Sequence, residues 1–233
     1  MSIFDELLEV CEHRLCLRHL YANFKNFFGG GIAIRDLMMV VAKATYYQAW
    51  EQKMQELKAI DLRAWEWLMQ HPTKLWCKHS FNYYSKCDVL MNNLSEAFNS
   101  TILCARDKPP ITMCEWIRTY LINRISTIRY KLSSWQHRIM SVPRKRLNVE
   151  IEFSGNCKVI WRIDDEFEVH KLYGGYQYIV DIGKRTCTCN FWQLVGIPCR
   201  HVIAAMGKRS QRLEDYVDDC YSRATYENAI VMV

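Results

Sequence analysis

Apolar residues recur at every third or fourth position through the first 140 residues of the chain, a spacing typical of amphipathic helices. Glycine, proline and capping residues divide this region into five expected helices. They run over about Ser2–Phe28, Ile34–Leu57, Leu62–Gln70, Asn93–Ala105 and Thr112–Ile139. The third is expected to begin after Asp61 as its N-cap, and the fifth at a capping box formed by Thr112 and Glu115.

From Val149 the pattern changes to short runs rich in β-branched and aromatic residues, which predicts meander strands. Four are expected, over Val149–Phe153, Lys158–Ile163, Glu166–Leu172 and Gln177–Ile182. The fold class is therefore expected to be α+β. The expected organisation is a helical region at 1–140, a basic linker at 141–150, a β-rich module at 151–210 and a C-terminal tail at 211–233.

The composition is that of a folded chain, since 50% of its 233 residues are hydrophobic and 24% are charged. The longest unbroken apolar run, Leu37–Ala42, is far too short to span a bilayer, and the first segment has acidic residues where a signal peptide has basic ones. Eleven cysteines without a secretory signal favour reduced thiols and metal binding over a disulfide framework. We expect no membrane association.

The strongest chemical signal is a Cys-x-Cys pair followed, after nine residues, by Cys-x-His. It comprises Cys187, Cys189, Cys199 and His201. Three thiolates and one imidazole satisfy the tetrahedral preference of zinc, and four protein ligands leave no position for a reactive water. The first pair is expected on a strand, with both side chains on one face, and the second where a turn enters a helix. The sequence thus predicts a β-β-α finger around one structural Zn²⁺.

This motif, together with Trp192 and the run Gly196–Ala205, resembles the SWIM zinc finger of plant Mutator-like transposases and the host proteins derived from them. The segment Cys11–Phe24 is similar to a Cys-x-x-His segment of the transposase domain. The segment Cys87–Ser100 is similar to the family's Asn-Asn-x-x-Glu-x-Phe-Asn block. The resemblance implies that the helical region is a remnant of an RNase H-like transposase domain and that the protein is nuclear.

The same resemblance bears on catalysis, because RNase H-like transposases hold two divalent ions with three carboxylates. Glu96 matches the third carboxylate by its place in the Asn-Asn-x-x-Glu block. The two aspartates belong on strands before the Cys16–His19 segment, where the chain is too short, so we expect it to be N-terminally truncated relative to the family. Glu96 is better interpreted as a capping partner of Asn93. We assign no catalytic residue and expect no enzymatic activity.

The resulting hypothesis is a zinc-binding, non-catalytic interaction module derived from a Mutator-like transposase. The alternative is a subunit or fragment of an active DNA transposase whose two aspartates lie upstream in a longer product or come from a partner. A second metal site is also left open, in which Cys16 and His19 join Cys77 and His79. The competing interpretation is that Cys16 and His19 lie on one helix face beside Leu15 and Leu20, as an ordinary buried cysteine and hydrogen-bonded histidine.

Binding surfaces are less sharply defined by the sequence, whose net charge is +6. Five cations around the finger are candidate nucleic-acid contacts: Lys184, Arg185, Lys208, Arg209 and Arg200. The stretch Arg118–Arg146 interleaves cations with aromatics and fits either a nucleic-acid surface or a solvated helix face. The acidic residues from Glu214 to Asp219 are candidates for masking such a surface. DNA, a protein partner or a second copy of the chain are open alternatives, and no small-molecule substrate is expected.

Overall fold

The computed structural model describes residues 12–29, 31–91, 93–209 and 211–231. The chain divides into two compact units. The first comprises Met1–Met91 with Thr186–Val195, and the second comprises Asn92–Arg185 with Gly196–Val233. Mixed helix and a small antiparallel sheet agree with the expected α+β class. In the described residues no helix has both the length and the apolar character needed to cross a bilayer.

The first unit is helical around an apolar core. Its helices are α1 (Leu17–Phe28), α2 (Ile32–Lys43), α3 (Tyr47–Ile60) and α4 (Leu62–Met69), followed by short 3-10 turns at Thr73–Leu75 and Lys78–Ser80. The helices bury Phe24, Met38, Leu57 and Leu68. The predicted cap is confirmed, because the Asp61 carboxylate accepts hydrogen bonds from the backbone N–H groups of Arg63 and Ala64 at 2.9 and 3.2 Å.

Two predicted helices of this unit differ from the observed ones. The first begins at Leu17, and the part predicted over residues 1–11 lies outside the described residues. The helix predicted over Ile34–Leu57 is two helices, because Ala44 and Tyr46 are extended. Between them the Thr45 hydroxyl donates to the carbonyl oxygen of Cys189 at 2.6 Å, a contact far along the chain that periodicity does not reveal.

Among its described residues the second unit holds six helices: α5 (Asn93–Thr101), α6 (Leu103–Arg106), α7 (Pro110–Ser133), α8 (Ser141–Ser154), α10 (Arg200–Met206) and α11 (Arg223–Val231). The capping box predicted at Thr112 is wrong. The helix begins with Pro110 in its first turn, where the missing N–H costs nothing, and Glu115 instead forms an ion pair with Arg118. Short 3-10 turns lie at Leu213–Tyr216 and Asp219–Tyr221.

Helix α8 replaces both the predicted linker at 141–150 and the predicted strand Val149–Phe153. The alternation in Val-Glu-Ile-Glu-Phe suggested a strand, yet the buried positions are Leu147 and Glu150, three residues apart on one helical face. This face packs against α10. Tertiary packing therefore overrides the local two-residue pattern.

The sheet of the second unit is an antiparallel meander of β1 (Cys157–Ile163), β2 (Glu166–Lys171) and β3 (Gln177–Asp181), as predicted for these three strands. In the register, Trp161 pairs with Phe167 and Val169 pairs with Tyr178. Phe167 and Val180 are buried on the face that packs against α10. The meander thus forms a platform under the helix that begins at Arg200.

Candidate metal centre

The first cysteine pair lies at the end of a two-residue strand, β4 (Thr186–Cys187), and the turn that follows. Asn190, with φ of 58°, reverses the chain, and its N–H donates to the carbonyl oxygen of Cys187 at 2.8 Å. The Gln193 amide holds the same residue: its Nε2 donates to the Cys187 carbonyl at 2.9 Å, and its Oε1 accepts from the Cys187 N–H at 3.2 Å. Only Cys187 is on a strand, so the predicted strand placement of both thiols is corrected.

Two loop residues of the first unit fix this turn. The Thr45 hydroxyl donates to the Cys189 carbonyl at 2.6 Å, and the Lys86 ammonium donates to the Gln193 carbonyl at 3.1 Å. Gln193 belongs to α9 (Phe191–Val195), a short helix that the sequence analysis did not predict. Because Trp192, Leu194 and Val195 are buried, α9 anchors the turn by apolar packing as well as by hydrogen bonds.

The second pair lies where a tight turn enters α10. Gly196, with φ of 75°, and Pro198 shape the turn, and Cys199 occupies the N-cap position of the helix. His201 is in the first turn of α10, and its ring stacks on Tyr178 of β3 with centroids 3.9 Å apart. The Cys199 sulfur lies 3.7 Å from His201 Nδ1. The prediction that a turn leads this pair into a helix agrees with the structure.

The residue between these two ligands is held by α8. Arg200 donates its backbone N–H and its Nε to Glu150 Oε2, at 2.9 and 3.0 Å, and its Nη2 to Oε1 at 2.8 Å. Glu150 is only 7% exposed, and its hydrogen bond raises the pKa of Arg200. One carboxylate therefore fixes both the main chain and the side chain of the residue that joins Cys199 to His201.

The electrostatics favour a metal-binding form of the histidine. Burial, reinforced by the cations of Lys171 and Arg200, lowers the pKa of His201 to about 3. The imidazole is therefore neutral at physiological pH and keeps a lone pair for coordination.

The structure brings the four side chains together. The three sulfur atoms and an imidazole nitrogen all lie within 4.8 Å of one another, and all four residues are buried. Sulfur ligands at about 2.3 Å from a tetrahedral zinc are about 3.8 Å apart, so this separation fits zinc without rearrangement of the backbone. Soft thiolates, a neutral imidazole and burial fit one structural Zn²⁺.

Comparison with known protein families shows that residues 178–210 match the family model of the SWIM zinc finger. The match to this family model includes all four candidate ligands and Tyr178, on which the His201 ring stacks, whereas Glu150 lies outside it. No curated protein and no solved structure is significantly similar to the chain.

The five cations predicted to face nucleic acid near the SWIM finger are mostly engaged within the protein. Arg200 binds Glu150, Lys184 pairs with Asp181 at 2.7 Å, and Arg209 pairs with Asp165. Arg185 donates to the Asp215 carbonyl at 3.3 Å and lies over the Tyr216 ring. Among the described residues, Lys208 is the one of these five whose side chain has no ionic or hydrogen-bonding partner, and it lines an open cleft with Trp161.

The acidic residues after the finger neutralise a second group of cations. Arg138 pairs with Asp215 and Asp219, at 2.6 and 3.2 Å, and Arg144 pairs with Glu214 at 2.6 Å. Half-exposed pairs of this kind add little stability, but they lower the charge available to phosphate.

Of the second cysteine and histidine set, the structure buries Cys77, half-buries Cys16 and His79, and leaves His19 exposed. Cys77 is fully buried, and this burial raises the pKa of its thiol. The His79 ring stacks on Trp50 at 4.8 Å, and burial lowers its pKa to about 4. Among the residues that the structure describes, the SWIM set is the single group of three or more metal-ligating side chains.

Glu96 lies in the first turn of α5, a position compatible with capping; the side chain of Asn93 is outside the described part. The sequence did not predict three residues that position the ligand-bearing backbone: Glu150, Gln193 and Thr45. Gln193 lies inside the motif, but its position there does not predict that its amide holds the backbone of Cys187. Glu150 and Thr45 are 50 and 144 residues from their partners and leave no local signal.

Proposed function

We propose that this protein is a non-catalytic interaction module whose SWIM finger is folded around one zinc ion. The observation that carries the proposal is the closed ligand set: three buried thiols and one buried imidazole fill a tetrahedral zinc. A zinc with four protein ligands has no position for a substrate or a water nucleophile. The role of the metal is then to hold the finger in a fixed shape, so that the surface of the finger can bind a partner.

The charge distribution favours a protein partner over nucleic acid. Four of the five cations near the finger already contact an acidic side chain or a backbone carbonyl. Phosphate binding requires several cations that can release counterions, since that release drives affinity. A finger whose arginines are internally paired offers little of this driving force, whereas neutralised surfaces with exposed aromatics suit protein contacts.

This proposal is tested by comparing zinc-loaded protein with its Cys199→Ala variant in two assays. In fluorescence anisotropy with random duplex and single-stranded DNA at 150 mM salt, we expect weak binding that differs little between the two proteins. In affinity purification from nuclease-treated nuclear extract, we expect a defined protein partner that only the zinc-loaded form retains. Submicromolar, zinc-dependent DNA binding that is lost in Lys208→Ala would contradict the protein-partner assignment.

We further propose that the chain derives from a plant Mutator-like transposase and acts in the nucleus. The supporting observations are the SWIM finger and the similarity of the Cys11–Phe24 and Cys87–Ser100 segments to transposase motifs. Immunolocalisation of the full chain tests the location, with nuclear signal as the expected result.

The second candidate function is that of a subunit of an active transposase. Its support is Glu96, which matches the third carboxylate of the transposase block. Divalent-ion chemistry of this type needs two further carboxylates, from a longer product or a partner chain. Manganese-dependent DNA cleavage that disappears in Glu96→Ala would establish this function and overturn the non-catalytic proposal.

A further inference from the structure

Helix α7 is long and mostly exposed. Its 24 residues span about 36 Å, yet Leu132 is its only buried residue among the described side chains. The helix contacts α6 near its beginning and α11 near its end. At that end, Arg129 donates to the Ile230 carbonyl at 3.1 Å, and Ile128 and Leu132 line a cleft with Tyr226. Between these contacts most side chains are exposed and none is buried.

This portion carries an apolar row at coiled-coil spacing, which we call the α7 seam. The seam comprises Ile111, Cys114, Leu121, Ile122 and Ile125. In heptad notation Ile111 and Ile125 are at a positions, Cys114 and Leu121 at d positions, and Ile122 is alongside at e. Ile111, Leu121 and Ile122 are 81%, 42% and 51% exposed. Aliphatic side chains at this spacing are expected to be covered by a second helix.

The charges of α7 indicate which helix would fit. Four cations, Arg118, Arg124, Arg129 and Lys131, face one acid, Glu115, so the helix carries 4 − 1 = +3. Arg124 and Lys131 are at g positions and Arg129 is at e, the positions that select a partner by charge. Arg118 occupies an a position within the seam and forms an exposed ion pair with Glu115 at 2.9 Å, so it already has an anionic partner on α7 itself.

A second copy and a nucleic acid fit this surface less well. A parallel pair of α7 helices places Arg124 of one chain beside Arg129 of the other, and any pair of α7 helices brings together two surfaces that each carry a charge of +3. Nucleic acid would use stacked aromatics, but the Trp116–Tyr120 stack lies on the opposite side of the helix from the seam. Isoleucines and leucine contribute nothing to phosphate binding.

We propose that the α7 seam binds an acidic amphipathic helix of a partner protein. The apolar residues of that helix cover the seam, and its glutamates or aspartates face Arg124 and Lys131, the cations at the g positions. From Ile111 to Ile125 the seam is about 21 Å long, so a partner segment of about four turns covers it. The seam is outside the SWIM finger residues 178–210, so this proposal goes beyond the role of the finger.

The test uses the full, zinc-loaded chain and two labelled peptides of four heptads. Both peptides carry Ile at a and Leu at d; one has Glu and the other Lys at e and g. We expect micromolar binding of the acidic peptide, weakened by salt, and at least tenfold weaker binding of the basic one. Leu121→Glu should weaken acidic-peptide binding at least tenfold, whereas Thr119→Glu, an exposed position off the seam, is the matched control.

A second test reverses the charges of α7 that are expected to select the acidic peptide. Arg124→Glu combined with Lys131→Glu should reverse the preference, so that the basic peptide binds better. Circular dichroism and zinc content, unchanged in each variant, show that the fold is intact. Three results would overturn the proposal: neither peptide binds, an oligonucleotide displaces the acidic peptide with equal potency, or the chain is a dimer that Leu121→Glu dissociates. Because zinc is bound in every arm, such a failure leaves the proposed function of the finger standing.

Discussion

Glu150 of α8 holds Arg200, the residue between two zinc ligands, through three hydrogen bonds of 2.8 to 3.0 Å. The carboxylate is buried, and α8 precedes the SWIM match by more than 20 residues. The contact with the Arg200 N–H also stabilises the beginning of α10, where His201 lies. The metal-binding fold of this chain therefore includes α8 in addition to residues 178–210.

We expect Glu150→Gln to weaken zinc binding about tenfold. Charge-assisted hydrogen bonds to a mostly buried carboxylate contribute about 1.5–3 kcal/mol, and part of this free energy holds Cys199 and His201 in place. Competition with a chromogenic chelator measures the change in affinity. Glu152→Gln, two residues along the same helix on its exposed side, is the control. Equal zinc affinity in wild type and Glu150→Gln would show that α8 does not position the ligands.

Removing one ligand should abolish the folded finger. Cys199→Ala is expected to lose its equivalent of zinc, since three remaining ligands and a small core cannot retain the metal at chelator-competitive affinity. Hydrogen exchange should then rise across 178–210 to the level of the chelator-treated wild type. Cys220→Ala, which removes an exposed thiol, should bind zinc normally. Tight binding of one zinc by Cys199→Ala would refute the ligand assignment.

Thiol reactivity should follow burial and coordination. Cys104, Cys114 and Cys220 are exposed and are expected to react first with iodoacetamide in the native, zinc-loaded protein. Burial raises the pKa of the Cys77 thiol, so this residue should stay unmodified until the helical unit unfolds. A chelator should make Cys187, Cys189 and Cys199 reactive. Mass spectrometry of the digested protein reads each site, and early labelling of Cys77 would contradict its placement in the core.

His79 should make the helical unit less stable at mildly acidic pH. Its pKa is lowered to about 4 by burial, whereas an unfolded histidine titrates near 6.5. Between these values the unfolded chain binds more protons, so stability falls as the pH drops from about 6.5 to about 4.

We expect His79→Gln to reduce this fall in melting temperature. The comparison belongs in the Cys199→Ala background, where loss of zinc at low pH cannot contribute. An identical pH dependence of melting with and without His79 would show that the ring is solvated.

Features encoded locally were predictable from the sequence. Alternating residues predicted β1, β2 and β3, and the N-cap of α4 was visible in Asp61 followed by an apolar period. The four candidate ligands could be predicted because paired Cys-x-Cys and Cys-x-His motifs are typical of a tetrahedral zinc site. Features set by distant contacts were not predictable. The sequence of α8 alternates like that of a strand, and its helical form depends on the packing of Leu147 and Glu150 against α10. The break before α3 coincides with the hydrogen bond from Thr45 to the Cys189 carbonyl, 144 residues along the chain.

The most direct test of the central claim is X-ray absorption spectroscopy at the zinc edge of the purified, zinc-loaded chain. We expect one zinc per chain with three sulfur ligands at about 2.3 Å and one imidazole nitrogen at about 2.0 Å. The nitrogen shell should disappear in His201→Cys, with a fourth sulfur in its place. A site with fewer than three sulfurs, or with a water oxygen in the first shell, would contradict a closed structural zinc at Cys187, Cys189, Cys199 and His201.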